Sequence, residues 1–268
     1  MPLKKTALAA TRGADFFGVS AMKWRILYCL SLAWLVAAAQ SKDFWVTKEY
    51  RQWNDKEVKR LLENSPWAQD YTLNRAYIEP LQTSPTGDTR AAERGRESNT
   101  KMGYQAQLRS ALPIRQALVR RQMIAEKYEQ MPPEKQREFD ERSAQFLAAN
   151  FAETVMAHVI YYSNVPVDDR ELARYWHTQT VETIKNSTFL IGAGGQKIQP
   201  LRYTPATGAG REFQLVFPRQ INGQPIAGPK DKSLRLEFKH PRTGDQNEQR
   251  VLVEFKLDKM MINNAVVY

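Results

Sequence analysis

Val155-Met156-Ala157-His158-Val159-Ile160-Tyr161-Tyr162 is apolar on both sides of an extended chain. Val155, Ala157, Val159 and Tyr161 fall on one side, Met156, Ile160 and Tyr162 on the other. A strand with one wet face alternates, and this one does not. Residues 155–162 are therefore predicted as a central strand covered on both faces. Beyond it, from Ser187 onward, the apolar period is two. Residues 188–191, 197–203, 212–217, 233–238 and 250–257 are predicted strands, separated by Gly and Pro clusters at 192–195, 208–210, 223–229 and 241–244. Short strands at such spacing predict an antiparallel, sandwich-like sheet. No internal repeat of fixed period is visible.

Between these strands and upstream of them the period changes. Tyr104, Ala106 and Leu108 alternate with Gln105, Gln107 and Arg109, which predicts another strand. A helix follows, with Ser110 as its cap and Pro113 in its first turn. Ile114, Leu118, Ile124, Ala125 and Tyr128 are placed on its buried side, and Arg115, Arg120 and Lys127 outward. Met131-Pro132-Pro133 breaks it. A second helix begins near Glu134 with Phe139, Ser143, Phe146, Leu147 and Asn150 on one face, so the two form a hairpin that must cover something apolar. A third helix starts near Asp168-Asp169, acids that suit a helix N-terminus, and carries Leu172, Tyr175, Trp176 and Val181.

The N-terminal quarter reads differently. Residues 42–70 are predicted helical and carry Trp45, Trp53 and Trp67, tryptophans that anchor a small segment on a larger body. Asn54 and Glu57 resemble a capping box, Trp53 and Val58 a hydrophobic staple, and Val58, Leu61 and Leu62 make one apolar stripe. Ser65-Pro66 ends the helix. Residues 71–79 are a weaker strand prediction. Residues 80–100 are Pro, Gly, Ser, Thr and charge with one large apolar residue, Leu81, and are predicted as a flexible linker.

Ahead of this lies a leader, residues 1–39. Met22-Lys23-Trp24-Arg25 is a short basic start, Ile26 to Val36 an apolar run, and Ala37-Ala38-Ala39 supplies small residues for a signal peptidase. Ile26 to Ala39 is fourteen residues, about 21 Å of helix against about 30 Å of bilayer hydrocarbon. Cleavage after Ala39 is expected, with a retained membrane anchor as the alternative. Residues 1–21 fit no part of a signal peptide unless Lys4, Lys5 and Arg12 belong to an extended basic region, so the natural start is expected at Met22. The leader holds Cys29, the single cysteine, five of the 39 Lys and Arg, and one of the 29 Asp and Glu. The mature chain would then be cysteine-free and mildly basic, which excludes a disulfide framework, multi-Cys zinc and thiol catalysis.

Motifs that carry chemistry are sparse. His158, His177 and His240 have no partner at metal-ligand spacing. Gly192-Ala193-Gly194-Gly195 lacks the Gly-Lys-Ser/Thr ending and the helix of a phosphate loop, so a hairpin turn explains it. Pro241 to Asp245 is likewise a turn. The carboxylate pairs Asp168-Asp169 and Glu138-Glu141 are expected on exposed helix surfaces. Asn186-Ser187-Thr188 fits the glycosylation pattern, which matters only in a eukaryotic host. No catalytic, cofactor-binding or metal-ligating residue is assigned, and no nucleic-acid module appears.

Several segments do resemble something. Trp53 with Glu57-Val58, Leu61-Leu62 and Ser65-Pro66-Trp67-Ala68 is similar to the opening of uncharacterised secreted bacterial proteins of the acidobacterial type. Arg109 to Arg115 (Arg-Ser-Ala-Leu-Pro-Ile-Arg), Trp176 to Thr180, Phe213, Phe217-Pro218-Arg219 and Asp231 to Leu234 resemble their later segments. The resemblance spans most of the mature chain and implies export from a bacterium; it implies no activity and no site residue. The expected protein has an α+β domain over 101–268, with a helical hairpin inserted in the sheet. A linker over 80–100 joins it to an N-terminal Trp-rich segment over 40–79. The expected role is non-enzymatic: binding or scaffolding a protein or another component of the bacterial envelope or periplasm, with membrane contact only if the N-terminal helix is retained. A hydrolase using dispersed carboxylates is the alternative.

Overall fold

The computed structural model describes residues 43–73, 101–243 and 248–268. The expected leader, the linker and residues 74–79 of the weak strand prediction lie outside them. The chain divides into two units, Met1–Thr47 and Lys48–Tyr268. The described part of the first contains one helical turn, α1 (Phe44–Thr47), where the rings of Phe44 and Trp45 meet edge to face at 5.0 Å.

The helices of the second unit are α2 (Asp55–Glu63), α3 (Leu112–Ala125), α4 (Pro133–Ala148), α5 (Pro166–Thr178) and α6 (Val181–Ile184). The strands are β1 (Ala68–Thr72), β2 (Met102–Leu108), β3 (Thr154–Ser163), β4 (Phe189–Ile191), β5 (Lys197–Ile198), β6 (Arg202–Pro205) and β7 (Glu212–Pro218). After these come β8 (Gln220–Ile221), β9 (Gln224–Pro225), β10 (Ser233–His240), β11 (Gln249–Lys256), β12 (Met261–Ile262) and β13 (Ala265–Val266). The fold is α+β with antiparallel sheets.

Residues 155–162 are central, as expected, but only one face is covered throughout: Val155, Ala157, Val159 and Tyr161 are buried, whereas Met156 and Ile160 are half-buried and Tyr162 is exposed. β3 lies third in a five-stranded sheet ordered β1-β2-β3-β7-β6, hydrogen-bonded to β2 on one side and β7 on the other. A four-stranded sheet ordered β11-β10-β4-β5 is the second layer. Side chains of the two meet directly: Tyr104 of β2 stands edge-on to Phe238 of β10 at 4.9 Å, and Phe213 of β7 to Phe238 at 5.9 Å. Trp176 of α5 enters the same aromatic cluster, stacked on Phe213 at 4.2 Å. All four rings are buried, so this cluster is the core.

Locally, α2 forms as the sequence dictates. Asn54 and Glu57 exchange both bonds of a capping box, Val58, Leu61 and Leu62 are buried, and the helix ends at Glu63 with Asn64 as its C-cap, just ahead of Ser65-Pro66. The helical reading of 42–70 fails after that. Residues 68–72 are β1, paired with β2 from Ala68↔Gln107 to Thr72↔Gly103, because the Ser65-Pro66 turn reverses the chain onto the sheet. The Trp-rich segment from Lys48 is thus built into the sheet unit. Two further hairpins escaped the sequence reading. Asn222-Gly223 joins β8 to β9 and Asn263-Asn264 joins β12 to β13, all four residues at positive φ as a type I′ turn needs.

The predicted strand 197–203 is instead two strands in different sheets, β5 beside β4 and β6 beside β7. Pro200 has no N–H to extend the first ladder, and the next N–H, of Leu201, already donates to Val216 at 2.7 Å. Val181, placed on the third helix, belongs to α6, which Thr180 caps afresh.

Candidate functional site

The helical hairpin is where the molecule leaves something uncovered. α3 begins at Ala111, which has no side-chain cap; Ser110, the expected cap, accepts from the Met156 N–H instead and pins β3. α3 carries apolar residues on several sides with polar ones interspersed; Ile114, Ala117, Val119 and Met123 are buried, and Arg121 and Gln122 are exposed. Such a helix has more than one face to cover. One side packs on α2 and a second on α4, where Val119, Met123, Tyr128 and Phe139 form a small core of their own.

Arg115 locks this hairpin. Expected outward, it is buried, and one guanidinium nitrogen donates to the carbonyls of Phe146 (3.2 Å), Leu147 (2.6 Å) and Ala149 (3.1 Å). These are the orphan carbonyls at the end of α4, and a cation suits them. The guanidinium also lies 4.9 Å from the Phe151 ring centre. Arg120, also read as outward, donates to the Trp53 carbonyl at 2.8 Å and ties α3 to the segment before α2.

Between α3 and α4 runs an open groove of about 650 Å³. Leu118, Val119, Ala125, Phe139 and Phe146 give it apolar walls, and Arg121 and Arg142 give it charge. None of its lining residues is acidic. Phe146 is 42% exposed, so the face that was to bury it does so only at Phe139 and Ser143, and Ala125 is exposed as well. Sequence reasoning missed this groove, because polar residues interspersed round α3 mark no single face as uncovered.

The sequence candidates fall elsewhere and apart from one another. His240 is fully buried, its Nδ1 2.7 Å from the Tyr104 hydroxyl, and burial pushes it down to about 4. His158 is buried on β3, and burial, then the charges of Arg109 and Arg121, push it down to about 3. His177 faces the carbonyls of Ala173 and Gly208. Asp168, expected on the surface, is buried, while Asp169 takes a forked ion pair from Arg211 at 2.8–3.0 Å. Glu138 and Glu141 are exposed, as expected. Gly192 to Gly195 is the turn of the β4–β5 hairpin, with Gly194 and Gly195 at positive φ. Among the described residues no group of three or more His, Cys, Asp or Glu is placed to hold a metal ion.

No protein-family model, curated protein or solved structure matches the chain.

A second recess, of about 370 Å³, lies over β10 and β11 and contains two carboxylates, Glu237 and Glu248. Glu237 is buried between Lys197 (2.7 Å) and Arg250 (3.1 Å), and Glu248 faces Lys239 at 3.5 Å. Each acid already meets a cation across the strands, which is an ion ladder on a sheet face rather than an acid and base facing a free space.

Proposed function

We propose that the chain is an exported, non-enzymatic binding or scaffolding protein of the bacterial envelope or periplasm, built on a filled, sandwich-like body, and that the α3–α4 groove receives its partner. The observation that carries this reading is the groove itself: apolar walls, two arginines and no acid, on a hairpin that Arg115 holds rigid. A surface of that kind suits an apolar segment flanked by acids. It supplies none of the paired carboxylates a hydrolase would need. The resemblance to secreted bacterial proteins supports export, and no helix among the described residues is long and apolar enough to cross a membrane.

Two measurements test the reading. Mass spectrometry of fractionated host cells should find a periplasmic or secreted species that begins at Gln40; full-length chain in the inner membrane would contradict release. The substitution Phe146→Asp should abolish partner binding and change stability by no more than about 0.5 kcal/mol, since the side chain is half exposed. Unimpaired binding would remove the groove from the account. The hydrolase reading keeps one foothold, the recess with Glu237 and Glu248, and Glu237→Gln abolishing a hydrolytic activity would revive it.

A further inference from the structure

The groove between α3 and α4 is lined by two matched stripes. α3 contributes Leu118 and the residues three, four and seven places beyond it, together with Val119; α4 contributes Phe139 and the residues three, four and seven places beyond it. That spacing is one side of a helix over two turns, about 10 Å of rise. Both stripes lie inside helices, where each backbone N–H is already bonded within its own helix. An extended chain would therefore find no ladder to join here. A third helix laid along the pair can mesh its side chains with both stripes, the packing by which helix bundles close.

The charge on this surface has one sign. Val119 and Phe139 are buried in its floor, and each helix adds one exposed arginine, Arg121 from α3 and Arg142 from α4. Arg51 pairs with Asp140 and Arg211 with Asp169, whereas Arg121 and Arg142 form no ion pair among the described residues. Glu138 and Glu141 belong to α4 but not to the lining. What complements such a surface is an apolar stripe with negative charge on both sides of it. A second copy does not supply this. Face to face, two such grooves would set arginine against arginine, and the apolar stripes of α2 and α5, with Leu61, Leu62, Leu172 and Trp176, are buried in the chain's own core. Nor does the 80–100 segment, which has three bases against three acids and Leu81 as its one large apolar residue.

Resting on the reading of the groove as the partner site, we propose that its occupant is an amphipathic helix of a partner protein, with apolar residues at i, i+3 or i+4, and i+7 and acidic residues on both sides of that stripe. Leu118, Phe139 and Phe146 meet the apolar side chains. Arg121 and Arg142 meet the acids, one from each side, which aligns the helix along the groove and rejects helices flanked by Lys or Arg.

Two fluorescein-labelled three-heptad peptides are the probes, both with Leu at the apolar heptad positions, one with Glu and the other with Lys at the flanking positions. Like charges keep each peptide from pairing with itself. Fluorescence anisotropy with the purified full chain should show saturable binding of the Glu peptide, about ten-fold or more tighter than that of the Lys peptide, and about 0.5 M sodium chloride should weaken it. Arg121→Glu combined with Arg142→Glu should invert the preference, a gain that a misfolded variant cannot give. Arg137→Glu, exposed on α4 outside the lining, should leave the preference unchanged. Binding of neither peptide, equal binding of both, or a preference that survives the double reversal overturns the proposal. p-Benzoylphenylalanine in place of Phe146, in the native host, separates this proposal from the reading it rests on. A protein or lipid adduct from that position, after failure with the peptides, keeps the groove as a binding site and rejects the acidic helix; no adduct removes both.

Discussion

Gly103 shows how a single position can be fixed by partners far away in sequence. It lies opposite Tyr162 in the β2–β3 register, and a Cβ there would stand 2.5 Å from the Tyr71 carbonyl oxygen and 2.6 Å from the Tyr162 hydroxyl. Gly103→Ala should therefore cost about 1–3 kcal/mol in denaturant unfolding, since backbone on one side leaves little room to yield. The sequence offered no hint of this, because the constraint comes from β1, a strand whose place it did not show. The buried histidines give a second expectation at this scale. The fold holds His240 near 4, below the ordinary 6.5, because burial disfavours its cation. The unfolded chain then binds the extra proton first, so this contribution is fully present above pH 6.5 and is lost as pH falls from there toward 4, to the extent of a few kcal/mol. Denaturant midpoints measured between pH 7 and pH 4.5 should show the fall, and His240→Gln should remove about half of it, the rest belonging to His158; an unchanged slope would contradict a buried neutral His240. His240 was legible as a strand-end residue, but its burial depends on Tyr104 from another strand.

Among elements, α2 is the most fully written in the local sequence. Its capping box, apolar stripe and proline stop all lie within twelve residues of one another, and each works as the local chemistry requires. Asn54→Ala should cost about 1 kcal/mol, and Asn54→Ser much less, by thermal or denaturant melts. α3 and α4 were legible as a hairpin, but their faces were not. A basic residue in a helix reads as outward, and Arg115 is turned inward by three carbonyls of α4 that lie more than thirty positions away. Arg115→Met should fray the last turn of α4 first. Amide exchange at Phe146 to Ala149 should rise, with a loss of about 2 kcal/mol in global stability. Protection unchanged at that turn would mean the guanidinium does not secure it.

For the whole molecule, period and punctuation revealed most of the strands but not their assignment to sheets. Residues 197–203 looked like one strand, and Pro200 carries the chain from one sheet to the other. Pro200, lacking an N–H, marks the break locally, but the sheet that takes the chain next is set by whether Val216 or the β4 edge accepts the following hydrogen bond. The same limit applies to function. The aromatic core draws Tyr104, Phe213 and Phe238 from three strands and Trp176 from a helix, a meeting that only the packing reveals, and the α3–α4 groove exists only because two helices, each covering other surfaces, stop short of covering one another. The reading of this chain as a binding module rests on that groove. The most direct test replaces Phe146 with the photo-crosslinker p-benzoylphenylalanine in the native host, with the exposed turn residue Asn222 replaced as control. The account predicts a discrete adduct of one defined mass from position 146 and none from 222; no adduct from 146, or the same adducts from both, would contradict it.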